Sequence, residues 1–222
     1  VLYRLLKRLL GRLVRLVWRP TVLGLENLPK DGPFILAANH LSFADSLMLP
    51  LVVPRQVAFL AKAEYFTGKG LKGALMRWVF TALGQIPVER GKGRAAGQAL
   101  DTALEVLQAG GAFGIYPEGT RSRDGQLHRG HVGVARLALT SGAPVIPVGL
   151  IGTDRLQPLG KKIPRIRPVT IHFGTPLDFT RYDGMNESLP ILRSVTDEIM
   201  YQIMELSGQE YVDRYEKPPA AA

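Results

Sequence analysis

Two short polar runs carry the residues best suited to chemistry. The first is Asn39-His40-Leu41-Ser42-Phe43-Ala44-Asp45, in which His40 and Asp45 stand five positions apart. On one helix the two side chains would point about 140° apart, because each residue turns an α-helix by about 100°. A pairing therefore requires His40 to precede a helix and Asp45 to lie in its first turn. Ser42 suits the N-cap, which makes Asp45 the third helical residue. The chain can bend back there, so that the carboxylate holds one imidazole nitrogen and leaves the other as a base. A plainer reading fits the same residues: Ser42 to Asp45 matches a capping box, and His40 is then a hydrogen-bonded turn residue.

The second run is Tyr116-Pro117-Glu118-Gly119-Thr120-Arg121-Ser122-Arg123-Asp124-Gly125, followed by Arg129-Gly130. Gly119 lets backbone N–H groups approach an anion closely. Thr120 and Ser122 add hydroxyls, and Arg121 adds a planar fork suited to phosphate. The alternative is a polar turn with solvated charges, since loops are rich in these residue types. A third run, Gly84 to Arg90, reads as a strand ending in an exposed charge pair, which alone signifies only a surface ion pair. His128 and His131 could be imagined as metal ligands with Asp124. No HExxH-type pattern accompanies them, and structural or solvated histidines are the expectation.

These runs need a scaffold. Short apolar stretches at Phe34–Ala38, Val57–Ala61, Gln85–Val88, Ala112–Tyr116, Pro144–Leu150 and Val169–Phe173 predict strands. Helical spacing between them, at about 43–52, 71–83, 94–109 and 131–141, and a last helix from about Ser188 to Leu206 give an alternating order. That order predicts an α/β fold, a largely parallel sheet flanked by helices. Ligands on such sheets bind beyond the carboxyl ends of the strands, where both polar runs fall.

Residues 1–18 read VLYRLLKRLLGRLVRLVW. Leu2, Leu5, Leu6, Leu9, Leu10, Leu13, Leu16 and Val17 share one helical face, with Arg4, Arg8, Arg12, Arg15 and Arg19 opposite and Lys7 and Val14 near a boundary. A spanning helix needs about 20 mostly apolar residues, and cations recur here every two to four positions. The pattern suits an amphipathic helix lying in a membrane interface, with Trp18 near its end. It also suits a helix packed on the protein's own core; the two are compatible if each edge of the apolar face meets one of them. The expected organisation is helix 1–19, α/β domain 20–208 and tail 209–222.

Composition narrows the function classes. The 222 residues are 46% hydrophobic and 21% charged, ordinary for one globular domain. The absence of cysteine excludes disulfides, Cys-ligated zinc and a Cys nucleophile. Of the net +9, six charges lie before position 20 with no acid among them, so a membrane surface is favoured over nucleic acid as partner.

Together and in this order, the segments resemble the glycerolipid acyltransferase family that includes bacterial 1-acylglycerol-3-phosphate acyltransferases. The resemblance covers roughly residues 20 to 175. A His-four residues-Asp block is matched by His40 and Asp45. A strand ending in arginine is matched by Arg90 in Ile86-Pro87-Val88-Glu89-Arg90, although many relatives carry Asp where Glu89 stands. A third block is matched by Tyr116 to Ser122, and a proline within an apolar strand by Pro147. Many members have Lys near Arg129.

The resemblance implies that His40 is a general base oriented by Asp45, taking the proton of an acceptor hydroxyl as it attacks an acyl thioester. No acyl-enzyme and no cofactor are then needed; the donor is acyl-CoA or acyl carrier protein. Arg90, Glu118, Gly119, Thr120, Arg121 and Ser122, with Arg129 in addition, would shape the site for the phosphate of a lysophospholipid acceptor. Glu118 would act by positioning an arginine, and Pro147 would belong to the acyl-donor side. The expected product is phosphatidic acid, made by a peripheral protein on the cytoplasmic face of the cell membrane. Other acceptors, such as glycerol 3-phosphate, a glycolipid or an aminoacyl lipid, could use the same pair. A non-catalytic basic protein binding membrane or nucleic acid is the reading from another class.

Overall fold

The computed structural model describes residues 2–88, 94–161 and 163–216. In chain order the elements are α1 (Leu2–Val17), β1 (Thr21–Leu23), β2 (Phe34–Ala38), α2 (Asp45–Val52), β3 (Val57–Lys62), α3 (Glu64–Thr67), α4 (Gly70–Ala82), β4 (Ile86–Val88), α5 (Arg94–Gln108), β5 (Ala112–Ile115), β6 (Leu127–His128), α6 (Gly133–Ser141), β7 (Val145–Ile151), α7 (Thr153–Leu156), β8 (Thr170–Phe173), α8 (Leu189–Ser207) and β9 (Tyr211–Val212).

Seven strands form one sheet in the order β1-β8-β7-β2-β5-β3-β4. Strands β7, β2, β5, β3 and the edge strand β4 run parallel, and β8 pairs antiparallel to β7. Every residue of β2 is buried, as expected for a parallel strand covered on both faces. Its alternate side chains divide between two cores. Phe34, Leu36 and Ala38 join α2, the inner edge of α1 and the end of α4; Ile35 and Ala37 join α5, α6 and α8. Along α8, Leu192, Val195, Thr196, Ile199, Met200 and Ile203 are buried, the stripe a 3.6-residue period produces. The helix crosses β7 so closely that a Cβ on Gly149 would fall 2.5 Å from the Leu206 backbone.

The expected α/β architecture holds, with shifts that have physical causes. The helix expected from about 43 begins at Asp45, because Ser42 does not cap it. Its hydroxyl donates to Gln157 O (2.8 Å) and accepts the Ala44 N–H (3.2 Å) in a preceding turn. The segment expected to be a tail is corrected over 209–216. There β9 pairs with β6, two-residue strands too short to show any periodicity. In α1 the apolar face is divided: Val14, expected at a boundary, is buried with Leu10 and Trp18 against it, whereas Leu9, Leu13 and Leu16 face outward. No helix among the described residues is long and apolar enough to cross a membrane.

Candidate active site

The end of β2 and the end of β5, neighbours in the sheet, deliver the two polar runs to the same place. Beyond β2 the chain turns through Asn39 and His40 into α2. Asp45 Oδ2 there accepts from His40 Nδ1 at 2.8 Å, from Leu41 N–H at 2.7 Å and from Ser42 N–H at 2.7 Å. Asp45 is fully buried and His40 nearly so. An oxygen that gathers two backbone N–H donors is an acceptor, so the imidazole proton sits on Nδ1 and Nε2 carries the free lone pair. Nε2 has no hydrogen-bond partner among the described residues.

Tyr116, the first residue past β5, stacks on the His40 ring at a centroid distance of 4.0 Å and 12°. Burial, reinforced by the nearby Asp45 charge and opposed by the Ser46 hydroxyl, pushes its phenol well above the ordinary range. It serves as a neutral wall that fixes the ring plane. Next comes Glu118, also buried, with Oε2 accepting His40 N–H (3.2 Å) and Oε1 accepting His128 N–H (3.0 Å). Glu118 thereby ties the His40 turn to β6 and, among the described residues, pairs with no arginine. Burial lifts its carboxyl to about 7, against the pull of those two N–H donors. Ser122 donates its N–H to His40 O (2.8 Å), which closes the second run onto the first.

Between these anchors lies an open stretch. Gly119 is exposed and has φ 71°, a left-handed conformation glycine adopts without strain. Thr120 is half-buried and Arg121 is exposed. Arg121 has no ion-pair partner among the described residues. The Gly119 N–H is taken by Tyr116 O (2.9 Å), so the exposed Arg121 supplies the cation, in a loop that Ser122 N–H ties to His40 O. A cationic fork and an imidazole lone pair suit an anionic substrate that presents a proton to be removed.

Comparisons with known proteins give this arrangement a family. A family model described as Acyltransferase matches residues 19–151. The chain belongs to the acyltransferase family. It is 29% identical over 192 residues to a Bacillus subtilis protein named 1-acyl-sn-glycerol-3-phosphate acyltransferase, covering 83% of this chain and 86% of that one. A chloroplastic protein of the same activity name from Arabidopsis thaliana is 33% identical over 140 residues, 63% of this chain. The chain spans only 38% of that plant relative and 41% of one from Brassica napus. The crystal structure of the 1-acyl-sn-glycerophosphate (LPA) acyltransferase PlsC from Thermotoga maritima superimposes with a TM-score of 0.66 at 27% identity, covering 91% of this chain and 82% of that one.

Within this acyltransferase domain the remaining expected site residues are placed unevenly. Arg90 lies outside the described residues. Ser122 is buried, and its hydroxyl donates to Asp124 (3.2 Å) and accepts Gly125 N–H (3.1 Å), so it staples the loop instead of facing a ligand. Arg129 pairs with Asp213 at 3.4 Å and lies over the Tyr215 ring at 5.5 Å, turned toward the C-terminal segment. Pro147 is buried inside β7 opposite Ala37, within the sheet and not on the surface of the site.

Two contributors were missed by reading the sequence. Asn39, fully buried, accepts Leu150 N–H (2.7 Å) and donates to Leu150 O (2.9 Å) and to Gln209 (2.6 Å), locking the His40 turn to β7. The other is the strap 209–216. His128 Nε2 lies between Asp124 (2.9 Å) and Glu216 (2.8 Å), and the three groups offer atoms within 4.8 Å of one another. Burial disfavours the Asp124 charge, but bonds from His128, Gln126 N–H and Ser122 outweigh it and hold the carboxyl below its ordinary value. His131 is not part of this cluster and stacks on Tyr215 at 4.7 Å. Asn39 adjoins His40 and could have been singled out as the buried polar end of a strand; the strap left no signal.

Proposed function

We propose that the chain transfers a fatty acyl group from acyl-CoA or acyl carrier protein to the free hydroxyl of 1-acylglycerol 3-phosphate, giving phosphatidic acid. The observation that carries this reading is His40, with Nδ1 held by a buried carboxylate and Nε2 unpartnered, tied by Ser122 N–H to the loop that exposes Arg121. His40 Nε2 accepts the proton of the acceptor hydroxyl while that oxygen attacks the thioester carbonyl. Asp45 stabilises the imidazolium that forms. The tetrahedral intermediate collapses, the carbon–sulfur bond breaks, and the imidazolium returns the proton to the departing thiolate. Transfer is direct, which accords with a chain that has no cysteine, and it calls on no cofactor beyond the thioester donor.

Arg121 and the Thr120–Arg121 backbone hold the acceptor's phosphate, with Arg90 as a second cation. The names of the bacterial and plant relatives and of the Thermotoga maritima structure support this choice of acceptor. The lipid substrates place the enzyme at a membrane surface, the cytoplasmic one, where α1 lies peripherally with Leu9, Leu13 and Leu16 directed at lipid.

The test is thiol release from acyl-CoA and from acyl carrier protein by purified protein, with and without lysophosphatidic acid, beside a panel of other acceptors. Release that requires the lysophospholipid is the expected result. Equal release without it, or faster transfer to glycerol 3-phosphate or a glycolipid, would contradict the assignment.

A further inference from the structure

The charge of this chain is segregated well beyond its first helix. Residues 1–25, 65–88 and 155–177 make up about a third of the sequence and hold half of its 28 Lys and Arg, yet none of its 19 Asp and Glu. The same three segments hold most of the large apolar side chains left in solvent. On α4, Leu71 (91% exposed), Leu75 and Trp78 follow i, i+4, i+7 spacing and form one outward stripe. On α1, Leu9, Leu13 and Leu16 repeat that spacing. In the loop 158–167, Ile163 (81% exposed), Ile166 and Leu159 alternate with Lys161, Arg165 and Arg167.

These three surfaces are joined to one another and to the site. Helix α1 packs against α4, and Trp18 donates its indole N–H to Arg165 O (2.9 Å), fastening the loop to α1. The His40 turn lies between the other two. Phe43 meets Tyr65 at the start of α3–α4 (5.9 Å) and Phe80 on α4 (6.2 Å), while the Ser42 hydroxyl donates to Gln157 O where the loop begins.

We propose that α4 and the loop 158–167 complete, with α1, a single docking surface for an anionic lipid bilayer that flanks the catalytic turn on both sides. Isolated leucines in solvent are ordinary. A third of the chain without an acid, with its apolar stripes rimmed by cations, is complementary to headgroups over acyl chains. Trp78 suits the boundary between the two. The basic, acid-free face is matched by the negative charge of an anionic leaflet, so the occupant is lipid. The proposal rests on the lipid-substrate reading above and specifies which elements meet the membrane.

The experiment uses the full chain, vesicles of phosphatidylethanolamine with or without phosphatidylglycerol, and two presentations of acceptor: long-chain lysophosphatidic acid in vesicles and a short-chain form below its micellar concentration. Leu75→Glu with Trp78→Glu, and separately Ile163→Asp with Ile166→Asp, should each weaken binding to phosphatidylglycerol vesicles at least tenfold. Each should slow turnover of vesicle-borne acceptor while leaving kcat/KM on the monodisperse acceptor within about twofold. Since Trp18 and Trp78 are the two tryptophans, Trp18→Phe leaves Trp78 as a single reporter. Quenching of its fluorescence by brominated lipids is expected even where the acidic variants fail to fold. Wild-type vesicle binding by both folded double variants, no quenching of Trp78, or equal binding to vesicles without anionic lipid would overturn the proposal. So would an oligomer that the variants dissociate without loss of vesicle binding, because the face would then join copies of the chain. No turnover of the monodisperse acceptor by wild type would instead count against the acyltransferase reading and leave the vesicle result standing.

Discussion

The His40–Asp45 turn and the Gly119–Arg121 turn sit side by side at the ends of neighbouring strands, and they are built in opposite ways. In the first, most groups are held: Asp45 Oδ2 takes three donors, Tyr116 stacks on the ring, and Asn39, Glu118 and Ser122 each bind the backbone around it. Among the described residues Nε2 is left unpartnered, as are the buried Asp45 Oδ1 and the Tyr116 hydroxyl. In the second, Arg121 is exposed with no ion-pair partner among the described residues, and Gly119 is exposed with its N–H closed onto Tyr116 O. A group that moves a proton gains from being held in one geometry before substrate arrives. A group that recognises a charged ligand need only be close, because the ligand's own charge completes the site. The closed turn is therefore assigned the reaction and the open turn the choice of substrate.

The widest separation between the two turns should come from Asp45→Asn. The amide cannot accept the imidazole N–H as an ionised carboxylate does, so the tautomer and the imidazolium are both disturbed. A loss of kcat on the order of 10²- to 10⁴-fold is expected, with little change in the KM of either substrate. A variant that melts earlier yet turns over normally would reduce Asp45 to a helix cap.

Arg121→Ala should have a smaller and differently placed effect. A lost hydrogen bond to a charged group costs about 1.5–3 kcal/mol. kcat/KM for lysophosphatidic acid should therefore fall roughly tenfold to a hundredfold, with donor binding unchanged. Arg121→Lys should recover part of this, because an ammonium keeps the charge and loses the fork. Wild type should prefer lysophosphatidic acid over lysophosphatidylcholine, whose phosphate is capped. Equal use of the two would show that this turn does not read the phosphate.

Glu118 couples the turns through pH. Its folded carboxyl titrates at about 7, above the ordinary 4.5, so the fold favours its neutral form. That contribution is complete below about 4.5 and is lost as pH rises through 7, roughly 2–4 kcal/mol in all. The melting temperature should fall between pH 6 and pH 8, and Glu118→Gln should flatten that slope. A slope identical in the variant would assign it to other groups.

The smallest effect concerns the strap. Glu216→Ala removes one of the two carboxylates at His128 Nε2 and should lower the melting temperature by about 2–4 °C, the equivalent of about 1 kcal/mol in a domain of this size. An unchanged melting curve would mean that β9 alone holds the segment.

The sheet and its main helices were legible because parallel strands buried on both faces read as apolar runs, and their helices keep a 3.6-residue period. Spacing alone set only the condition for pairing His40 with Asp45, since five residues exclude a shared helix face; the pairing itself came from the family resemblance. The roles of Glu118 and Ser122 were not legible, because a carboxylate aimed at backbone N–H groups and one aimed at an arginine have the same sequence. The strap was invisible: its strands are two residues long, and its contacts join positions about 84 apart, such as Gln126 and Glu210. The outward edge of α1 needed the fold to show which leucines the core leaves uncovered.

The central claim is that His40 removes the acceptor's proton. Single-turnover transfer from acyl-CoA to lysophosphatidic acid by His40→Ala tests it most directly, with near-wild-type melting as the control for folding. The account predicts a rate reduced by about 10²- to 10⁴-fold with both substrates still bound. Transfer at the wild-type rate by the folded variant would contradict it.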